Sequence, residues 1–117
     1  MAQEKIFSAE GVVQKGDGRG AQLGFTTANI PCGGEMPSGI YAGEVVWKGV
    51  TYPAAIYKED GKSLIEAHLL DFSRNLYAET IKIIAHQKIR DVKKFPSEKE
   101  LITAIKEDIE KIRQTTF

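Results

Sequence analysis

The amino-acid sequence predicts a mainly β fold, either a small closed antiparallel barrel or a sandwich, with one helix at its C-terminal end. Short segments rich in β-branched and aromatic residues alternate with turn residues between positions 6 and 90, whereas the last segment repeats its apolar residues at helical spacing. Strands joined by short turns are typical of barrels and sandwiches. With 117 residues, the chain has the length of one domain with a modest core, so we expect residues 1–117 to form a single domain.

Turn residues divide the chain into its predicted strands. Residues 31–39 are dense in proline and glycine and predict a loop, while Lys48-Gly49 and Glu59–Lys62 predict hairpin turns. A further turn is predicted at Arg74-Asn75. The segments between the turns are predicted to be extended, and they are residues 6–14, 25–30, 40–47, 50–57, 63–71 and 80–90.

The C-terminal helix is predicted from its start signal and from its apolar stripe. Ser97 and Glu100 fit a capping box, in which Ser97 is the N-cap and Glu100 the third helical residue. The stripe consists of Leu101, Ile102, Ile105, Ile109 and Ile112. We predict that this stripe packs on the barrel and has no chemical role.

Residues 16–24 are rich in glycine and predict an anion-binding loop. Glycine lets the backbone bring successive N–H groups close to a phosphate, and Arg19 adds a permanent charge. A P-loop or a dinucleotide-binding fingerprint would open a helix, but β-branched residues and Pro31 follow here. The glycines alone are equally compatible with a flexible turn. They are Gly16, Gly18, Gly20 and Gly24.

Thr27 and Asn29, which follow this loop, are candidate metal ligands. They fall on one side of an extended segment because the side-chain period of a strand is two. A hydroxyl and an amide oxygen are hard, neutral ligands that suit Mg²⁺ when phosphates supply its remaining oxygens.

Glu66 and His68 share one face of a predicted strand. A carboxylate within an apolar strand is costly to bury without a partner or a function. The structural alternative is a satisfied polar patch at the mouth of a barrel. A metal site built on this pair is disfavoured, because no third histidine, cysteine or acidic residue stands at a recognisable spacing.

The connector Ile89–Phe95 combines basic residues with an aromatic ring between the last strand and the helix. Such residues would suit an isoalloxazine ring, through stacking and through hydrogen bonds to its carbonyls. Taken alone, however, the residues favour an ordinary solvated connector with Phe95 tucked under the helix.

The composition narrows the possible partners and the location. Sixteen basic residues balance sixteen acidic ones, so no bulk positive field favours nucleic acid or an anionic membrane. Cys32 is the lone cysteine and cannot form an internal disulfide. The sequence shows no signal-peptide pattern and no segment that could span a bilayer, so we expect a cytoplasmic protein.

The chemical stretches together resemble the riboflavin kinase family. Its signature is a Gly-Arg-Gly loop followed by Leu-Gly-Phe-Pro-Thr-Ala-Asn, and this chain has Gly18-Arg-Gly20 followed by Leu23–Asn29, with Thr26 in place of the proline. The family's Glu-x-His-Leu-Leu-Asp-Phe is found at Glu66–Phe72. The resemblance extends from Gly11 to Arg113.

The resemblance implies a Greek-key barrel of about six strands, closed by the C-terminal helix, and a kinase domain like the C-terminal domain of bacterial bifunctional FAD synthetases. It implies transfer of the ATP γ-phosphoryl group to riboflavin to give FMN, with Mg²⁺. The alternative is a silent flavin or nucleotide binder on the same barrel; a small interaction module would leave the glycine loop and Glu66 without a function. We expect a monomer. We also expect the reaction to stop at FMN, because the sequence lacks the His-x-Gly-His motif of an adenylyltransferase.

The resemblance also implies roles for individual residues. Glu66 corresponds to the catalytic base, and Arg90, Lys93 and Phe95 correspond to a flavin-closing segment. Residues 57–64 are shorter than the family's usual insertion before the glutamate. The residues implied on the nucleotide and phosphate side are Gly16, Gly18, Arg19, Gly20, Gly24, Thr27, Asn29, Leu69, Asp71 and Tyr77.

Overall fold

The computed structural model describes residues 7–15, 26–32 and 36–115. These ranges contain six strands and one helix. The strands are β1 (Phe7–Val12), β2 (Thr26–Pro31), β3 (Gly39–Trp47), β4 (Val50–Lys58), β5 (Leu64–Leu69) and β6 (Thr80–Arg90), and the helix is α1 (Glu98–Gln114). No helix in these ranges has the length and apolar character needed to cross a membrane.

The six strands form one antiparallel sheet in the order β1-β6-β3-β4-β5-β2. Within it, β6-β3-β4-β5 has the spatial order of a Greek key, since the fourth strand returns beside the first. The sheet curls into a half-barrel, and a single bridge joins the chain just after edge strand β1 to edge strand β2, where the Gln14 N–H donates to the Asn29 carbonyl at 2.8 Å. The predicted mainly β, antiparallel Greek-key fold with a C-terminal helix is confirmed.

The two faces of the sheet are covered differently. On the inner face, β-branched side chains such as Ile30, Ile56 and Ile65 are fully buried and form the main core. On the outer face, Ala42 and Ala55 pack with Ile112 of α1. Small alanine side chains let the helix lie close to the strands, so α1 covers part of the face that also carries the polar residues described below.

Helix α1 begins as the sequence predicts. The Ser97 hydroxyl accepts a hydrogen bond from the Glu100 backbone N–H at 3.2 Å, which confirms the N-cap. Ile105 and Ile112 are buried on the side that faces the sheet.

The predicted hairpin at Lys48-Gly49 is confirmed, because both residues adopt positive φ angles, 49° and 77°, as a type I′ turn requires. The fifth strand is shorter than predicted and ends at Leu69 instead of residue 71. The Leu70 N–H donates to Pro53, and Asp71 turns into the left-handed region with φ of 53°. Asp71 therefore does not continue the side-chain alternation of the strand.

Candidate active site

Strands β2 and β5 bring the predicted metal ligands and the predicted base together. In their antiparallel register, Thr27 lies opposite His68 and Asn29 lies opposite Glu66. Directly opposite residues point to the same side of a sheet, so these four side chains share one face. The intervening Ala28 is fully buried in the main core. The four polar residues consequently lie on the outer face, which α1 also covers in part.

Glu66 is a half-buried carboxylate held by a histidine. Its Oε1 lies 2.9 Å from Nε2 of His68, and the side chain is 27% exposed, against 4% for His68. On its other side Glu66 pairs across the strands with Tyr57 of β4, whose ring centre lies 4.3 Å from that of His68. The carboxylate thus reaches solvent while its neighbours restrict its orientation, and such a group can accept a proton.

Asn29 and Glu66, on neighbouring strands, begin a row of polar side chains, and Tyr57 on β4 extends this polar row towards the helix. Its hydroxyl donates to Oδ2 of Asp108 at 3.3 Å, and Asp108 is only 1% exposed. Arg90 donates to the same carboxylate twice, from Nε to Oδ1 at 3.0 Å and from Nη2 to Oδ2 at 2.8 Å. Burial, reinforced by Asp108, raises the pKa of Tyr57, so its hydroxyl stays protonated and donates. The hydrogen bonds to Asp108 likewise raise the pKa of Arg90.

Asp108 is a buried acidic residue of α1 that the sequence analysis did not single out. It lies between Ile105 and Ile112, the two buried apolar residues of the helix. An acidic residue next to Glu107 and Glu110 looks like part of a solvated face. A helical-wheel count that placed Asp108 three residues after Ile105 would have been the available signal.

The three residues predicted to close over a flavin lie near one another. The guanidinium carbon of Arg90 lies 5.6 Å from the ring centre of Phe95, and Nζ of Lys93 lies 5.7 Å from it. Both distances are within cation–π range. Phe95 is half-buried, and Arg90 also donates to the Asp91 carbonyl at 3.1 Å. The connector between β6 and α1 is therefore held by contacts among its own residues, and it lies at the Arg90 end of the polar row.

A groove of about 390 Å³ lies between the end of β5 and α1. At its rim Arg113 donates to both carboxylate oxygens of Asp71, at 2.6 and 2.9 Å, and holds the pKa of Asp71 below its usual range. Two residues of the predicted nucleotide side, Leu69 and Asp71, line this groove. Tyr77, which the resemblance also implies on the nucleotide side, does not line the groove. Its side chain is exposed, and Nζ of Lys15 lies 5.9 Å from its ring centre. The lining is Thr26, Leu69, Leu70, Asp71, Phe72, Ser73, Ile109 and Arg113.

The donor set on the outer face suits one class of metal. No group of three or more histidine, cysteine or acidic residues within residues 7–15, 26–32 and 36–115 is arranged to hold an ion. Thr27, Asn29 and Glu66 instead supply a hydroxyl, an amide and a carboxylate oxygen on one face. Hard oxygen donors of this kind fit Mg²⁺ that is shared with phosphates.

A protein-family model for flavokinase (riboflavin kinase) matches residues 3–116. The chain belongs to the riboflavin kinase family. The match spans nearly the whole sequence, and the prediction made from the glycine loop and from Glu66–Phe72 is thereby confirmed at the level of the family.

Curated relatives of this riboflavin kinase family member are larger proteins. It is 33% identical over 114 residues to the bifunctional riboflavin kinase/FMN adenylyltransferase of Bacillus subtilis (strain 168), an alignment that covers 87% of the chain and 36% of the relative. It is 34% identical over 112 residues to the protein of the same name from Pseudomonas fluorescens, with 88% and 36% covered. The chain thus spans 36% of the length of each relative.

Solved structures share the fold. The riboflavin kinase from Trypanosoma brucei superposes with a TM-score of 0.70 at 25% identity, over 97% of this chain and 81% of that one. A Streptococcus pneumoniae protein described as a macrolide-efflux protein superposes with a TM-score of 0.85 at 28% identity, over 93% of this chain and 39% of that one.

Two departures from the riboflavin kinase pattern have visible structural consequences. Thr26 stands where the family signature has proline, and its hydroxyl donates to the Phe72 carbonyl, which ties the start of β2 to the segment after β5. The short connection between β4 and β5 is closed by Lys58, which is 3% exposed and donates to the carbonyls of Glu59 and Lys62 at 2.7 and 2.8 Å.

The predicted phosphate loop spans residues 16–24 of the sequence. Gly16, Gly18, Arg19, Gly20 and Gly24 lie outside the described residues. The chain enters and leaves this segment at Lys15 and Thr26.

Proposed function

We propose that the chain transfers the γ-phosphoryl group of ATP to the 5′-hydroxyl of the ribityl chain of riboflavin, which gives FMN and ADP. Membership of the riboflavin kinase family supports this reaction. One structural observation carries the proposal: a polar row crosses the outer face from Asn29 through Glu66 and Tyr57 to Asp108 and Arg90. Along this row Asn29 and Arg90 lie on either side of Glu66, an order that supports transfer between a nucleotide and a flavin alcohol.

Glu66 is assigned the role of the base. As the ribityl oxygen attacks, its bond to the γ-phosphorus forms, the bond from that phosphorus to the bridging oxygen of ADP breaks, and Glu66 takes the hydroxyl proton. Phosphoryl transfer depends on positioning more than on covalent help from the protein. His68 contacts the Glu66 carboxylate directly, and Tyr57 lies opposite Glu66 and against the His68 ring. These contacts support such a positioning of Glu66.

Thr27 and Asn29 are assigned to Mg²⁺. The ion, when bound, would neutralise negative charge on the nucleotide phosphates. Thr27 is half-buried, and Asn29 is 8% exposed, which limits the directions its amide can take. The Gly16–Gly24 stretch is assigned to the phosphate oxygens, and the groove lined by Leu69 and Asp71 to the remainder of the nucleotide.

Arg90, Lys93 and Phe95 are assigned to the isoalloxazine ring of riboflavin. Phe95 offers an aromatic face, and the two cations offer hydrogen bonds to the ring carbonyls. Arg90 and Lys93 both lie near the ring of Phe95, and this grouping supports the assignment.

The proposal is tested by incubating the purified protein with riboflavin, ATP and MgCl₂ and separating the flavins by chromatography. We expect FMN to form only when nucleotide and Mg²⁺ are both present. Parallel reactions with CTP and GTP test the choice of donor. Riboflavin binding without product from any of the three nucleotides would contradict the kinase and support the silent flavin binder.

A further inference from the structure

Asp108 is a buried carboxylate in a helix face that is otherwise apolar. Removing a carboxylate from water costs several kcal/mol by order of magnitude unless partners satisfy it. Here three donors do so: Nε and Nη2 of Arg90 and the hydroxyl of Tyr57. The three residues come from three different elements, α1, β6 and β4: Asp108 follows Arg90 by 18 positions and Tyr57 by 51.

Each partner of Asp108 leads towards a different part of the proposed site. Arg90 lies against Phe95 in the segment assigned to the flavin. The Tyr57 ring lies 4.3 Å, centre to centre, from the ring of His68, whose Nε2 contacts Glu66. The two partners occupy the same carboxylate, and Oδ2 is shared between Nη2 of Arg90 and the Tyr57 hydroxyl.

We propose that Asp108 is a positioning residue that links the flavin segment to the base. It fixes the guanidinium of Arg90 under Phe95 and, through Tyr57, it fixes the His68–Glu66 pair. The inference rests on the proposed function, and it goes beyond it by assigning a role to a buried residue of α1 that acts through Arg90 and Tyr57.

The chemistry of the carboxylate explains why an amide cannot replace it. Asp108→Asn keeps the shape of the side chain but turns one acceptor oxygen into an NH₂ donor. All three partners are donors, so in either amide orientation the NH₂ group faces at least one of them. The two parallel hydrogen bonds that hold the planar Arg90 group are then reduced to one, and its orientation is no longer fixed.

The first experiment measures riboflavin binding by the quenching of flavin fluorescence, without nucleotide. We expect Asp108→Asn to raise the Kd for riboflavin about tenfold or more, since hydrogen bonds to charged groups are the stronger ones. The KM for ATP should change less than twofold. Asp91→Asn is the matched control: it removes an exposed carboxylate next to Arg90, one that pairs with Lys88, and leaves the Arg90–Asp108 pair intact. Its riboflavin Kd should equal that of the unchanged protein.

A double variant tests the pathway through Arg90. Arg90→Lys keeps the charge and loses the two-pronged geometry, so it should weaken riboflavin binding to a similar extent as Asp108→Asn. If Asp108 acts through Arg90, the double variant should bind riboflavin no worse than the weaker single variant. Strict additivity of the two effects would overturn the proposed link.

Tyr57→Phe provides a second variant, since it removes one oxygen and leaves the Arg90–Asp108 pair in place. We expect kcat to fall about threefold to tenfold, the size of one ordinary hydrogen bond, with the riboflavin Kd unchanged. An unchanged kcat would overturn the connection to Glu66. Circular dichroism at the assay temperature shows whether each variant is folded.

The outcomes separate this inference from the proposed function. If the unchanged protein binds and phosphorylates riboflavin and Asp108→Asn matches it in Kd and kcat, the positioning role is wrong and the kinase stands. If the unchanged protein binds riboflavin without product, the proposed function fails, while the Kd series still tests the Arg90 link. If it does not bind riboflavin at all, both are wrong.

Discussion

Glu66 is distinguished by its neighbours across the strands and not by the histidine beside it. Glu44 has an almost identical arrangement: its Oε1 lies 2.6 Å from Nε2 of His86, and the side chain is 25% exposed, against 27% for Glu66. The strand partners of Glu44, however, are Ile84 and Pro53. Those of Glu66 are Asn29 and Tyr57. Of these two glutamates, Glu66 is therefore the one whose strand partners carry a polar amide and a hydroxyl.

This contrast gives a test with a built-in control. Glu66→Gln keeps the size and the contact with His68 but removes the proton acceptor, so turnover should fall about 10²-fold or more. Glu44→Gln makes the same change in the matching pair and should leave turnover unchanged. Initial rates of FMN formation at saturating riboflavin and ATP provide the measurement. Similar rates for the two variants would mean that Glu66 has a structural role.

The proposed Mg²⁺ ligands are tested through the concentration of Mg²⁺ that gives half-maximal activity. Thr27→Ala and Asn29→Ala each remove one oxygen donor from the outer face, so each should raise that concentration. If both serve one ion, the double variant should show less than the sum of the two effects. Thr51→Ala, an exposed threonine of β4, is the control. Unchanged Mg²⁺ dependence in both single variants would place the ion elsewhere.

At the scale of elements, the connection between β5 and β6 relies on backbone conformations that side chains disfavour. Asp71 and Ala78, both within it, have φ angles of 53° and 68°. Asp71 is compensated by its two hydrogen bonds from Arg113 of α1. The Ala78 N–H donates to the Val13 carbonyl at 3.0 Å, which ties the connection to the end of β1. Ala78 itself has no side-chain hydrogen bond to offset its left-handed conformation.

Ala78→Gly should therefore stabilise the protein. Glycine adopts positive φ at no steric cost, and the gain, after its larger unfolded-state entropy, is about 0.5–1 kcal/mol in the free energy of unfolding. Ala104→Gly makes the same chemical change within α1, where it should lower the free energy of unfolding by about 1 kcal/mol. Urea denaturation of both variants measures the two values. A loss of stability with Ala78→Gly would show that this turn relaxes.

At the scale of the whole molecule, local patterns predicted the elements, and long-range pairing decided the site. The helix start at Ser97 and the hairpin at Lys48-Gly49 depend on neighbouring residues only, and both are confirmed. The pairing of β2 with β5, which sets Asn29 opposite Glu66, joins segments 37 positions apart and leaves no local trace in the sequence. The resemblance to a family implied roles for Thr27, Asn29 and Glu66, but it did not predict the strand pairing that brings them together.

Asp108 shows the limit of the same approach. The sequence predicts the apolar stripe of α1 but contains no local pattern that connects Asp108 with Arg90 or Tyr57, because those partners come from two other strands. The shorter fifth strand was missed for a related reason: the turn at Asp71 is stabilised by Arg113, 42 positions later. Elements follow from local preference, whereas a polar row across four strands and a helix follows from their packing.

The product of the 117-residue chain offers a test that involves the whole molecule. Conversion of FMN to FAD would require attack of the FMN phosphate on the α-phosphate of a second ATP. The adenylyltransferase motif His-x-Gly-His is absent from the sequence, in which His68 and His86 are the only histidines and neither precedes a Gly-His pair. In the structure each of them contacts a glutamate of the sheet, Glu66 or Glu44. In the proposed site Thr27 and Asn29 share one face of the sheet with Glu66. We therefore expect a long incubation with riboflavin, excess ATP and Mg²⁺ to accumulate FMN without FAD.

A protein with both activities, assayed in parallel, shows that FAD would be detected. Three results together would contradict this expectation. The FAD peak grows with time, it persists after repeated purification, and it is absent when Glu66→Gln protein prepared in the same way is supplied with FMN.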